Sequence, residues 1–258
     1  MAFYDLSKDD RTALTAKINS DLREEFKSSK KDVMHGYFSH DDTYIRKTAY
    51  TAIGRAYNIH LEFRSSLLLK LSSLLNDEDF KVRQSTVNAA GEIGKKHFSQ
   101  VENIFDIGLF DAHPSVRNAV IGSIKKMGEV NPIPVLAWAR KYLHHLDKEV
   151  RREICHGIEL RGRTHPQDIL PLLEELQHDR TTRVRKTLVH VLGQISYKKG
   201  CLSTVLTALQ QWNNKQLVSD ALQEIIDVHE RYEKFSAMSQ DEAIKYINVY
   251  FKQHWPRD

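Results

Sequence analysis

Five arginines, each directly preceded by isoleucine or valine, recur along the chain at nearly constant spacing. Successive arginines are separated by 37, 34, 34 and 34 residues, and an acidic residue precedes each of them by four to six positions. Guanidinium and carboxylate groups form charge-assisted, often bidentate hydrogen bonds, so repeated structural ion pairs are the chemistry that these residue types favour. The five residues are Arg46, Arg83, Arg117, Arg151 and Arg185.

Other cations and neutral polar residues hold fixed positions relative to these arginines. The residues one and five positions after each arginine are polar or small and include no carboxylate. Residues 81–199 hold 20 Lys and Arg against 13 Asp and Glu, a net charge of +7, although the whole chain carries only +4. A surface of this kind suits a phosphate backbone, which proteins bind by neutralising its charge. We therefore predict contacts with DNA from Lys47, Arg55, Lys95, Lys96, Asn118, Lys125, Lys126, Arg152, His156, Arg161, Arg163, Lys186, His190, Lys198 and Lys199.

Helices must position these side chains. Apolar residues recur about one position before and three or four, seven and ten positions after each arginine, which is the spacing of one buried stripe on an α-helix. A second apolar run precedes each arginine across a short turn, so each repeat is predicted to be a helix, a tight turn and a second helix. Glycines such as Gly54, Gly91 and Gly193 are expected where a helix stops or packs closely. The basic pairs that end second helices, such as Lys95 with Lys96, have a structural alternative, because the helix dipole favours cations there.

The pattern resembles HEAT repeats, and the resemblance covers roughly Lys31 to His229. It implies an all-α fold, a right-handed superhelix of about six helical hairpins that stack in one dimension. In such arrays an aspartate in the turn and an arginine in the second helix form a ladder between adjacent repeats, and the second helices form the concave wall. On this basis the five arginines are structural, residues 1–30 and 230–258 form capping helices, and the chain is one elongated domain.

The later repeats bear a more specific resemblance, between Val135 and Trp212. The segments that carry it are Val135–Trp138, Glu149–Arg152, His165–Glu174, Asp179–Lys186, Leu188–Ser196 and Val205–Trp212. They look like the bacterial alkylpurine DNA glycosylases of the AlkC and AlkD type. Proteins of that kind have a HEAT-like solenoid that wraps duplex DNA and removes cationic methylated bases without ordinary base flipping, so the resemblance implies DNA as the partner.

The chain also departs from that family's motif. Cys155-His156-Gly157 and Leu192-Gly193-Gln194 stand where the AlkC-type motif has Ser-Glu-Gly and Leu-Asn-Asp. A carboxylate would stabilise a developing oxocarbenium sugar, and an aromatic ring would pack against a cationic base. Because both acids are absent at the matching positions, the departures favour a binding protein without catalysis. Glu153, Glu159 and Asp168 are the weak candidates for a catalytic acid.

Other chemistry finds little support in the sequence. No HExxH, CxxC, GxSxG or glycine-rich phosphate loop is present, so we expect no cofactor. His144, His145 and His156 are expected to be ordinary histidines rather than metal ligands. Cys155 and Cys201 are expected to be packing residues in a reducing compartment. No apolar run approaches the ~18 residues that span a bilayer, and the chain start has no apolar core, so we expect a cytoplasmic protein without membrane contact.

Three functions follow from these observations. The first is a non-catalytic HEAT-repeat module that grips the DNA backbone with a basic concave face, in the manner of a DNA alkylation repair protein. The second is an alkylpurine DNA glycosylase. The third is a protein-interaction scaffold whose concave face binds an acidic protein partner. The polar columns and the missing acids favour the first.

Overall fold

The computed structural model describes residues 3–27 and 32–252 of the chain, and every regular element within these ranges is a helix. The predicted all-α, HEAT-like fold is confirmed. Short 3-10 turns lie at Phe3–Asp5, Leu61–Phe63, Phe98–Gln100 and Glu233–Phe235. The α-helices are α1 (Lys8–Lys27), α2 (Val33–Phe38), α3 (Thr43–Ile59), α4 (Arg64–Leu74), α5 (Phe80–His97), α6 (Glu102–Gly108), α7 (Pro114–Val130), α8 (Pro132–Tyr142), α9 (Lys148–Gly157), α10 (Glu159–Gly162), α11 (Pro166–Glu174), α12 (Thr182–Ser196), α13 (Cys201–Gln211), α14 (Lys215–Arg231) and α15 (Gln240–Lys252).

The chain divides into two compact units, Met1–Pro134 and Val135–Asp258, here called the N-terminal and C-terminal units. The N-terminal unit contains the helix pairs α2 with α3, α4 with α5, and α6 with α7. The C-terminal unit contains α11 with α12 and α13 with α14, preceded by a repeat whose second helix is divided into α9 and α10. The single elongated domain with caps at 1–30 and 230–258 stays a prediction, and residues 253–258 lie outside the described part of the chain.

The acidic residues that lie four positions before an arginine cap the second helices. The Asp79 carboxylate accepts a hydrogen bond from the backbone N–H of Lys81 at 2.8 Å, and Asp147 accepts one from Glu149 at 2.8 Å. Asp42 accepts in the same way from Tyr44 at 2.7 Å. Each of these bonds satisfies a backbone donor that the first turn of a helix leaves without a partner.

Two of the acidic residues that lie six positions before an arginine, Asp111 and Asp179, form the ladder. The Arg83 guanidinium donates from Nε and Nη2 to the two oxygens of Asp111 at 2.7 and 3.0 Å. Arg151 makes the same bidentate contact with Asp179 at 2.5 and 3.1 Å. Burial raises the pKa of both carboxyls, but the hydrogen bonds from arginine and from a backbone N–H, together with the arginine charge, outweigh it, so each pKa lies below its usual value.

Two predicted ladder arginines have no acidic partner within the described residues. Arg46 donates to the carbonyls of His40 and Asp41 and to the Thr43 hydroxyl. Arg185 donates to the Asp179 carbonyl at 2.6 Å and to the Thr182 hydroxyl at 3.3 Å. The prediction of a carboxylate partner is therefore wrong for these two residues.

The reason is the residue in the next turn. The turn of the repeat after Arg46 contains an acid, Asp77, but this carboxylate binds His35 at 3.0 Å and not Arg46. Asn213 stands 34 residues after Asp179, so the repeat after Arg185 offers an amide in place of a carboxylate. The remaining arginine of the five, Arg117, donates from Nη1 to the backbone carbonyls of Asp111 and Ala112 in its own turn.

The constant position of three glycines relative to the repeated arginines reflects helix packing and not helix ends. Gly54, Gly91 and Gly193 each lie eight residues after a ladder arginine and inside a helix, so the alternative of a helix stop is wrong for them. A Cβ atom on Gly91 would lie 2.5 Å from the Ser123 hydroxyl oxygen, and one on Gly193 would lie 2.7 Å from Cγ of Glu224. A Cβ atom on Gly54 would overlap the side chain of Glu92. These positions are where neighbouring second helices meet.

We expect Asp179→Asn to lower the free energy of unfolding at pH 7 by about 1.5–3 kcal/mol, the usual contribution of a hydrogen bond to a charged group. The Asp179 side chain is only 6% exposed, so water replaces little of the lost interaction. Because the folded pKa is lowered, this stabilisation is present above the unfolded pKa of about 3.9 and is lost as the pH falls through the folded value. Urea unfolding at pH 7 and at pH 3 measures both effects.

The matched control is Asp41→Asn. Asp41 also pairs with a cation, Lys81 at 2.6 Å, but its side chain is 95% exposed, and we expect no measurable change in stability. Equal urea midpoints for the two variants at pH 7 would show that the ladder contributes nothing to stability.

Candidate functional site

The second helices of the N-terminal unit carry exposed donors that have no partner among the described residues. Lys47 and Arg55 lie eight positions apart on α3, and Asn118 and Lys126 lie eight positions apart on α7. Helices α3, α5 and α7 stack with their arginines in register, so these positions share one side of the unit. We call these four residues the N-terminal basic face.

Helix α5, which lies between α3 and α7, adds no unpaired negative charge to this face. On α5, the half-buried Gln84 donates to the Ser115 carbonyl at 3.3 Å, and Asn88 donates to the Gln84 carbonyl at 2.9 Å. The acid on this side of α5, Glu92, is paired with Lys95 at 2.6 Å. The face therefore presents net positive charge and amide groups to solvent.

Several other predicted DNA contacts are engaged with acids of their own unit. In the C-terminal unit, Arg152 binds Glu149 at 2.9 Å, Arg161 binds Asp168 at 2.6 Å and Arg163 binds Glu159 at 2.5 Å. The Lys198 ammonium lies 4.4 Å from the ring centre of Tyr197. The remaining predicted cations are half-buried or exposed, namely Lys96, Lys125, Lys186 and Lys199. Within the C-terminal unit, most of the cations predicted to contact DNA are thus already engaged with an acid or an aromatic ring.

The three weak candidates for a catalytic acid are the partners of these cations. Glu153 is buried and lies 3.4 Å from Nη2 of Arg152, and Glu159 is buried against Arg163. Asp168 is half-buried against Arg161. Each acid is therefore held in an ion pair with an arginine.

Two predicted DNA contacts, His156 and His190, lie instead in a cluster with acids. Nε2 of His156 is 3.1 Å from Oε2 of Glu159, and one ligand atom from each of His156, Glu159 and His190 lies within 4.8 Å of the others. Nδ1 of His190 is 3.8 Å from Oε1 of Glu224. We call these four residues the His-Glu cluster. The three-residue spacing from His156 to Glu159 was visible in the sequence, but the break between α9 and α10 that places Glu159 was not.

A pocket of about 790 Å³ lies between α12 and α14 of the C-terminal unit. Its walls combine the cations Arg185, Lys186 and Arg231 with the acids Asp220 and Glu224. Val189 and Leu217 add apolar side chains, and the rest of the lining comes from Thr182, His190, Asn214 and Gln216. This pocket could not be predicted from the sequence, because its walls belong to two repeats and its composition is mixed.

No helix in the described part of the chain is both long and apolar enough to cross a membrane.

The chain matches no protein-family model and no curated protein. Among solved structures it resembles a TOG domain of crescerin, whose TOG array regulates microtubules in the primary cilium, with a TM-score of 0.50 and 16% identity over 76% of this chain and 89% of that one. This chain has a HEAT-like repeat fold. An archaeal HEAT-like repeats protein from Thermococcus onnurineus gives a TM-score of 0.42 and 15% identity over 83% of this chain and 98% of that one.

A computationally designed armadillo repeat protein for modular peptide recognition gives a TM-score of 0.34 and 18% identity over 77% of this chain and 99% of that one. At these identities the likeness concerns the fold alone. The resemblance of the HEAT-like repeats to alkylpurine DNA glycosylases is not shown by these comparisons and stays a prediction.

We expect neither cysteine to react with a thiol reagent in the folded protein. Cys155 and Cys201 are both buried, and burial raises the pKa of both thiols, so little thiolate is present at pH 8. Titration with an aromatic disulfide should give no fast reaction in buffer and two reactive thiols in denaturant. Fast, stoichiometric labelling of one thiol in the native protein would contradict a packing role.

Proposed function

We propose that this HEAT-like repeat scaffold is a non-catalytic DNA-binding protein whose N-terminal basic face holds the phosphate backbone. The observation that carries the proposal is the N-terminal basic face itself, which presents exposed cations and an amide, without acidic partners, on the second helices α3 and α7. Neutralisation of phosphate charge supplies most of the affinity of such surfaces, and it requires cations that are not already paired.

The same face supports contact with the backbone rather than with bases. Lysine and arginine on α3 and α7 neutralise phosphates, and the Asn118 amide donates a hydrogen bond to a phosphate oxygen. The paired Glu92 and the neutral residues of α5 between them add no repulsion. We expect binding that depends little on DNA sequence and strongly on salt.

The glycosylase alternative is less well supported by the geometry. A catalytic acid must stabilise positive charge that develops on the sugar. Glu153, Glu159 and Asp168 each already face an arginine, which would have to move away before the carboxylate acted on a substrate. Incubation of the pure protein in excess with alkylated DNA tests this alternative, and release of methylated bases would establish it.

The pocket of the C-terminal unit supports a second candidate function, a scaffold for a protein partner. It offers both charges beside the apolar side chains of Val189 and Leu217, a combination that suits a peptide segment better than a polyanion. Binding to a protein through this pocket would be less sensitive to salt than binding to DNA.

We expect the double variant Lys47→Glu with Lys126→Glu to bind duplex DNA more weakly than the parent chain. Loss of two phosphate contacts should also reduce the slope of log affinity against log salt by about 2. Fluorescence anisotropy with a labelled duplex, measured over a series of salt concentrations, gives both quantities.

The matched control is Arg23→Glu with Lys148→Glu. Both residues are exposed and outside the N-terminal basic face, and the change in net charge is the same. Equal losses of affinity in the two double variants would mean that only total charge matters. A parent chain without salt-dependent DNA binding would refute the proposal and leave the protein scaffold.

A further inference from the structure

We propose that His156, Glu159 and His190 form a binding site for a divalent transition-metal ion of the Zn²⁺ type. The site lies in the C-terminal unit and is independent of the N-terminal basic face and of the proposed DNA binding. It rests on three features of the His-Glu cluster, namely the type and distance of the donors, the groups that hold those donors, and the access that the pocket gives.

The donor set is the one that zinc prefers in sites with an open position. Two imidazole nitrogens and one carboxylate oxygen are a common set of three protein ligands, and a water molecule completes the tetrahedron. The His156 and Glu159 atoms are 3.1 Å apart, and all three ligand atoms lie within 4.8 Å of one another. Ligands about 2.0–2.1 Å from a tetrahedral ion are roughly 3.3 Å apart, so the cluster needs to contract by about 1.5 Å at most.

That contraction requires movement of histidine side chains only. His156 and His190 have side chains that are 39% and 44% exposed, so their rings are able to turn without disturbing the core. Glu159 is fixed, because its side chain is 3% exposed and its Oε1 accepts a hydrogen bond from Arg163. Its Oε2 faces His156 and is the oxygen that would bind the ion.

A second carboxylate is placed to support His190. Oε1 of Glu224 lies 3.8 Å from Nδ1 of His190 and 3.3 Å from Nη1 of Arg231, so a small turn of the ring would bring Nδ1 within hydrogen-bond distance of a carboxylate that Arg231 already holds. A carboxylate that accepts the Nδ1 hydrogen fixes the tautomer in which Nε2 carries the lone pair, and metal-bound histidines nearly always have such a partner. Arg163 holds Glu159 in the corresponding way.

The break in the helix explains why these groups meet. Helix α9 ends at Gly157 and α10 begins at Glu159, whereas α12, the next second helix, continues from Thr182 to Ser196 without interruption. The break sends the Glu159 carboxylate into the interior beside the neighbouring helix that carries His190. His190 and Glu224 also line the 790 Å³ pocket, so an ion at the cluster is accessible from solvent.

Three other histidines in the described residues, His35, His60 and His144, each pair with one acid. His144 lies 2.8 Å from Glu175, and His35 lies 3.0 Å from Asp77. No second histidine joins either pair in the described part of the chain to make a group of three ligands. His144 is therefore a matched control, since it offers the same pair of donor types in the same unit.

The test is titration of the full chain, without an affinity tag, with Zn²⁺ in competition with a chromophoric chelator. We expect one equivalent to bind, and Co²⁺ at the same site should give the intense visible bands of a tetrahedral ion. His156→Ala and His190→Ala should each weaken binding by more than tenfold, and Glu224→Gln by about 10–100-fold, the usual effect of a supporting carboxylate. His144→Ala should bind as the parent chain does.

The histidine variants test the site and Glu159→Gln does not. That substitution removes the buried partner of Arg163 and is expected to unfold part of the C-terminal unit. Circular dichroism confirms that each histidine variant is folded. The proposal is overturned if the parent chain binds no stoichiometric Zn²⁺, if bound Co²⁺ lacks the tetrahedral bands, or if folded His156→Ala and His190→Ala bind Zn²⁺ as tightly as His144→Ala.

Discussion

The close approach of neighbouring second helices is the constraint on which both units depend. A single helical hairpin has too little surface to cover its own apolar stripe, so each repeat must bury that stripe against the next. The distance between second helices is set where a glycine of one faces a side chain of the other, as Gly91 faces Ser123 and Gly193 faces Glu224. A methyl group at those glycines would push the helices apart, because helix interfaces are close-packed.

This approach also decides which charges remain available at the surface. Residues from adjacent repeats come within hydrogen-bonding distance, so an arginine finds a carboxylate 28 residues away, as Arg83 finds Asp111 and Arg151 finds Asp179. In the C-terminal unit the same proximity, together with pairs along single helices, engages most of the cations that were predicted to contact DNA. Positive charge counted along the sequence is therefore a poor measure of the positive charge that a ligand meets. The exposed side chains of Lys47, Arg55 and Lys126 have no partner among the described residues, and they are the cations on which the proposed phosphate binding depends.

The regular features of this chain could be predicted from its sequence, because they repeat. The period of 34 residues and the apolar stripe predicted the helix pairs, and the columns counted from the arginines identified Lys47, Asn118 and their equivalents. The two kinds of turn acid were also present in the sequence. Those four positions before an arginine cap a helix, and two of those six positions before it, Asp111 and Asp179, form the ladder. Only the structure separated the two roles, since both lie in the same short turn.

The features that break the repeat could not be predicted in this way. The interruption between α9 and α10 directly follows Gly157, but Gly54, Gly91 and Gly193 lie inside uninterrupted helices, so a glycine alone did not predict the break. The pairing of Arg161 with Asp168 and of Arg163 with Glu159 follows from that interruption. The His-Glu cluster therefore arises from a local irregularity combined with a regular column, since His156 and His190 are equivalent positions of adjacent repeats. The sequence shows that His156 and His190 are equivalent positions, and the fold brings Glu159 beside them.

The last of the five repeated arginines, Arg185, shows how a neighbouring repeat determines what an arginine contacts. Arg185 occupies the same position as Arg151, but Asn213 replaces the acid in the following turn, and the guanidinium lines a pocket. The change that exposes a guanidinium to ligands therefore lies in the neighbouring repeat and not in the helix that carries it. The residue in the next turn therefore decides whether an arginine at this position is held by a carboxylate, as Arg151 is, or lies in the wall of a pocket, as Arg185 does.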